Sequence, residues 1–198
     1  MNNRAVIVLG LCGLASTAFG QNFSLTLVPS VQTIDTSAGA VTMTVTVIGD
    51  ADVGVYMYGG TFGIQTDSAS IIDMQWQAEA WSVFNTDGGY AGDGNYNHVI
   101  FGQLDTGSIF PLPDSSIVGN PIGSFQVTIA AEQVGQAEMS IVPGDPFTLQ
   151  TYDRVSGLLY ESSNGNLTLN GTALTFVPAP GAASLLAFAG FVVARRRR

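Results

Sequence analysis

The chain has 198 residues with lopsided charge: fifteen acidic residues against six arginines and no lysine, a net −9. All fifteen acids lie between Gln21 and Val177, where Arg154 is the only basic residue, so that stretch carries −14. Such a field repels nucleic acid and anionic headgroups and excludes a DNA- or RNA-binding role. The one cysteine, Cys12, lies in the first apolar run, so disulfides, cysteine–zinc sites and thiol nucleophiles are excluded from everything after it.

In chain order, Met1-Asn2-Asn3-Arg4 is a short positive segment and Ala5 to Leu14 a compact apolar run. Ala18 and Gly20 then offer small side chains at the −3 and −1 positions of a cut before Gln21. Residues 1–20 therefore read as a signal peptide removed by signal peptidase. A lipoprotein cut at Cys12 is the alternative, and bulky Leu11 before the cysteine opposes it.

Residues 21–176 form one domain with a dominant period of two. Val41, Met43, Val45 and Val47 alternate with Thr42, Thr44 and Thr46, and Phe125, Val127 and Ile129 with Ser124, Gln126 and Thr128, as in strands with one wet face. Phe23-Leu25-Leu27, Val55 to Ile64, Ile71 to Trp76, Val99 to Leu104, Met139 to Val142, Leu167-Leu169 and Leu174-Phe176 add shorter strands. Turns are expected at Gly49-Asp50, Asp87-Gly88-Gly89, Pro111 to Asp114, Pro143-Gly144-Asp145-Pro146 and Asn164-Gly165-Asn166. Only Ala78 to Phe84 and Ala130 to Gly135 offer a turn or two of helix. Strands at this spacing, without alternating helices, predict an all-β antiparallel sandwich.

Several clusters invite chemistry. Asp87, Asp93, Asn95 and Asn97 space side-chain oxygens as a Ca²⁺ loop does, but His98 and Leu104 stand where an EF-hand needs glycine and glutamate. Ca²⁺ is the only cofactor considered. Asp105-Thr106-Gly107-Ser108 matches the loop that presents an aspartic-protease carboxylate; the second copy such an enzyme needs is missing, since Asp35-Thr36-Ser37 has serine in place of glycine. Asp73 and Glu79 beside Trp76 and Trp81 raise a glycosidase, and His98 a Ser-His-Asp triad, without the supporting motifs. Trp76, Trp81, Tyr56, Tyr58, Tyr90 and Tyr96 form either an aromatic platform for sugars or core and cross-strand packing. No catalytic residue is assigned.

Residues 177–198 read as an address label: Pro178-Ala179-Pro180, an apolar run from Gly181 to Ala194, then Arg195, Arg196, Arg197 and Arg198. A fourteen-residue helix reaches about 21 Å, short of the roughly 30 Å bilayer core, and the arginines favour the cytoplasmic side. This order of parts resembles the PEP-CTERM sorting signal of exported bacterial proteins, with Pro-Ala-Pro in place of Pro-Glu-Pro. The resemblance implies transient membrane insertion through the C-terminal helix and handling by an exosortase-like enzyme; an ordinary membrane anchor is the alternative. In the body, Thr42 to Val47, the Gly-rich Val55 to Ile64 and Ile122-Gly123-Ser124-Phe125-Gln126-Val127 resemble cohesin-like scaffold domains, which implies a jelly-roll sandwich.

The expected protein is thus exported and non-catalytic, at the cell envelope, the surface or in the extracellular matrix, with extracellular polysaccharide as a further partner. The alternatives are a carbohydrate- or Ca²⁺-binding matrix module and a secreted hydrolase of glycosidase or aspartic-protease-like type.

Overall fold

The computed structural model describes residues 20–104 and 112–177. Among them run thirteen strands: β1 (Asn22–Pro29), β2 (Thr33–Asp35), β3 (Val41–Ala51), β4 (Tyr56–Thr66), β5 (Ile71–Ala78), β6 (Phe84–Asp87), β7 (Tyr96–Gly102), β8 (Pro121–Ile129), β9 (Gly135–Pro143), β10 (Gln150–Asp153), β11 (Leu158–Glu161), β12 (Asn166–Asn170) and β13 (Thr172–Val177). They form an all-β sandwich of two sheets. The smaller has the order β12-β1-β3-β8-β5; the larger runs β11-β10-β4-β9-β13-β2, with β7 on the other edge of β4 and β6 outside it.

Alternation fixes which way each strand faces. On β1 the residues Phe23, Leu25 and Leu27 are buried, and on β3 Met43, Val45 and Val47, while the residues between them stay partly exposed. The larger sheet meets them with Met57, Phe62, Ile64, Val99 and Phe101. At the centre Phe125 packs against Trp76, Tyr96 and Phe62 with ring centroids 4.9, 5.0 and 6.3 Å away, in tilted or edge-on contacts that suit the ring quadrupoles.

The structure differs from the sequence expectations in instructive places. Ladders are antiparallel except β1 with β12 and β2 with β13, which are parallel. Each pair joins an early strand to a late one, and only such a long connection can return a strand in the same direction. Gly49-Asp50 is not a turn but lies within β3. A side chain at Gly49 would sit 2.7 Å from the Met57 methyl, so this glycine serves core packing. The stretches 78–84 and 130–135 are turns and strand ends rather than helix, and short 3-10 turns occupy Asp114–Ser116 and Ser162–Asn164. No helix among the described residues is long and apolar enough to cross a membrane. The predicted signal peptide up to Phe19, the Asp105 loop and everything from Pro178 on lie outside the described residues.

Among the described residues, buried side-chain polar groups are partnered except the Trp76 indole N–H. The buried Ser162 hydroxyl accepts the backbone N–H of Thr148 (3.1 Å) and of Leu149 (3.0 Å), tying the entry of β10 to the exit of β11. Ser162→Ala would leave two buried donors unsatisfied and is expected to cost about 1–3 kcal/mol, read by denaturant titration. Two tyrosines protect the edge strand β5: the Tyr90 hydroxyl donates to the Ile71 carbonyl (2.6 Å), and the Tyr96 hydroxyl accepts from the Trp76 N–H (3.4 Å). An open strand edge would otherwise offer a template for another chain.

Candidate functional site

Tyrosines at 56 and 58 flank Met57, which is fully buried, so strand geometry turns both rings to the outer face of the larger sheet. In register, Tyr56 lies opposite Tyr152 on β10, and Tyr152 opposite Leu159 on β11. The rings of Tyr58 and Tyr152 touch with centroids 5.6 Å apart and planes at 45°. On the other side of β4, Gly59 pairs with Gly102 and Gly102 with Phe84, so bare backbone separates the tyrosines from the half-exposed Phe84 ring. The result is an aromatic and aliphatic row across five strands. A groove of about 510 Å³ continues the same face, lined by Ile100, Val142, Pro143, His98 and Asp145 among others.

The remaining aromatic candidates point elsewhere. Trp81 is buried and donates its indole N–H to the Pro121 carbonyl (3.3 Å); Trp76 packs on Phe125 and Phe62; Tyr90 and Tyr96 serve the β5 edge. Only Tyr56 and Tyr58 of the six stand on an outer face. Their partner Tyr152 carries no signal in the sequence, because β10 buries Gln150 and Thr151 and so shows no apolar alternation.

Of the Ca²⁺ candidates, Asp87 accepts the Gly89 N–H (3.0 Å), Asp93 the Asn95 N–H (3.0 Å), and Asn95 the Thr66 N–H (2.8 Å). The Asn97 amide donates to the Gly88 carbonyl (3.0 Å). These side chains hold the loop's own backbone, and no three His, Cys, Asp or Glu residues among those described converge as metal ligands. Asp73 faces outward opposite Thr128 and accepts from Gln75, whereas the Trp81 ring lies inside, so carboxylate and indole do not share a cleft. Glu79 is exposed beyond the end of β5. Asp35 caps its own turn; hydrogen bonds from Ser37 hold its carboxyl below the usual carboxylate range. His98 is exposed on β7, and its carbonyl accepts the Gly88 N–H (2.7 Å). At the expected processing site, the backbone of Gln21 already accepts the Asn166 N–H (2.7 Å) and β1 begins at the next residue. Ala18 and the tail residues Pro178, Ala179, Pro180 and Arg195 to Arg198 lie outside the described residues.

One ionisable group is strongly perturbed. Burial, and then the hydrogen bond to Asp87, pushes the Tyr96 phenol from its ordinary 10 up to about 12. A raised folded-state value means that the contribution is complete below pH 10 and is lost as pH climbs through 12. Allowing for solvent screening, wild-type stability should fall by about 1–2 kcal/mol more than that of Tyr96→Phe across this window, measured by denaturant titration at each end.

No family model and no curated protein matches the chain. Among solved structures it is similar to a cohesin module of a family 33 glycoside hydrolase from Clostridium perfringens, at 7% identity and a TM-score of 0.49, over 80% of this chain and 98% of that one. It is similar also to a type I cohesin from Pseudobacteroides cellulosolvens, at 10% identity and a TM-score of 0.48, over 81% and 94% of the two chains. A type I cohesin–dockerin complex from Clostridium thermocellum matches at 9% identity and a TM-score of 0.45, over 78% and 99%.

Proposed function

We propose that this chain is an exported, non-catalytic recognition module of the cell surface or extracellular matrix, delivered by its two terminal signals. The observation that carries the recognition role is the row of Tyr56, Tyr58, Tyr152, Leu159 and Phe84 on the outer face of the larger sheet. Tyrosines that touch, on rigid strands, lose little freedom on binding and supply the aromatic contacts that dominate protein interfaces. On a body of net −14, whose single cation Arg154 directly follows β10, the row suits a partner protein that presents apolar side chains and net positive charge. A triad or paired carboxylates would instead need the convergent side chains that His98, Asp73 and Glu79 do not form among the described residues.

Delivery rests on the tail. Four arginines at about 2.5–3.5 kcal/mol each near the bilayer centre oppose translocation, so the tail would pause the chain with its body outside until a sorting enzyme acts near Pro178-Ala179-Pro180. Intact-mass measurement of surface and secreted material tests this. Loss of Gly181 to Arg198 from the mature form, and misrouting when Arg195 to Arg198 become neutral, would support sorting. A mature species that keeps all four arginines would reduce the tail to an anchor.

A further inference from the structure

The outer face of the smaller sheet has a different chemistry from the rest of the surface. Eighteen side chains of β12, β1, β3, β8 and β5 point outward there; fourteen are Thr, Ser, Asn or Gln, and none is Lys, Arg or Glu. The charges are marginal: Asp50 lies near the end of β3, Asp52 just beyond that end accepts the Asn22 N–H (2.8 Å) and amide (2.6 Å), and Asp73 sits on the edge strand. In a body with fifteen carboxylates this is an almost uncharged plane. The β-propensity of threonine accounts for Thr42, Thr44 and Thr46, but solvation alone would tolerate charges across such a face.

The groups on this plane are also ordered. Thr42 and Thr128 hydroxyls meet at 3.0 Å, the Gln126 amide donates to the Thr44 hydroxyl (3.1 Å), and the Asn170 amide donates to Thr26 (3.0 Å). Asn166 likewise donates to Asn22 (3.2 Å). Strands about 4.8 Å apart, with same-face residues about 6.8 Å apart along each, set these groups in a regular lattice. Every hydroxyl and amide in it both donates and accepts.

We propose that this face docks a neutral polysaccharide. A flexible anionic polymer would meet the body's negative field, and a basic partner would find almost no counter-charge on the plane. A neutral polyhydroxylated chain matches a lattice of mixed donors and acceptors, and the lateral hydrogen bonds restrain the side chains before binding. The proposal adds a second ligand, on the sheet opposite the tyrosine row, and rests on the surface location given above only for its setting.

Native affinity gels of the full-length chain in mild detergent test it, with hydroxyethylcellulose and galactomannan as neutral polymers and carboxymethylcellulose as the anionic counterpart. Retardation by a neutral polymer and none by the anionic one is expected. Thr44→Glu with Gln126→Glu should weaken it at least tenfold; Thr46→Glu, a single change, covers a failure of the double variant to fold; Val155→Ala, in the exposed turn between β10 and β11, should leave it unchanged. No retardation by either neutral polymer, or equal retardation of the charged variants, overturns the proposal. So does a concentration-dependent dimer abolished by the same variants without polymer binding, which would assign the face to a second copy. A chain that is missorted yet retarded overturns only the delivery, and one sorted correctly but never retarded overturns only this ligand.

Discussion

Phe125→Ala is expected to cost about 3–5 kcal/mol, the range for deleting a buried aromatic side chain, and so to remove much of a domain's usual 5–15 kcal/mol. Phe125 has no exposed surface and touches Trp76, Tyr96 and Phe62, rings from both sheets. Their positions are fixed by backbone ladders, so they cannot close the cavity. Thermal unfolding should show a midpoint lower by about 10 °C or more. A shift of only a degree or two would mean that the ring cluster is not the centre of the core.

Gly60→Ala should be nearly as damaging by the opposite mechanism. An added Cβ would lie 2.1 Å from the Thr148 carbonyl oxygen and 2.8 Å from the Phe101 ring. The first obstacle is backbone, held on the approach to β10, so rotamer changes cannot relieve it. Overpacking of this kind costs about 1–3 kcal/mol or more, and the melting midpoint checks it. Gly89→Ala is the useful contrast: no heavy atom lies within 4 Å of its Cβ position, and its φ of 73° is the only penalty.

The sandwich was legible where one face of a strand is buried, because only then does the sequence alternate. β1, β3 and β8 show this in Phe23-x-Leu25-x-Leu27, Val45-x-Val47 and Phe125-x-Val127-x-Ile129. β6 was not legible, since all four of its residues are exposed and it exists by pairing with β7. β11 hides its register in the adjacent Leu158 and Leu159, which lie on opposite faces and are both half-exposed. Ala78 to Phe84 looked helical because alanine and glutamate favour helix locally, yet Trp81 is drawn inward to the Pro121 carbonyl and fixes a turn. As for the site, Tyr56 and Tyr58 share a face by spacing alone, but Tyr152 joins them through a register that no local pattern encodes.

The placement of the last described strand has a mechanical consequence. β13 ends at Val177, immediately before the Pro-Ala-Pro segment, and it lies inside the larger sheet, with five residue pairs to β9 on one side and three to β2 on the other. If the tail holds the chain while a partner pulls on the body, tension enters along the axis of β13. Both ladders are then loaded in shear, so their hydrogen bonds must fail together rather than open one after another from an end. A chain tethered in this way would resist sudden pulling better than its equilibrium stability implies.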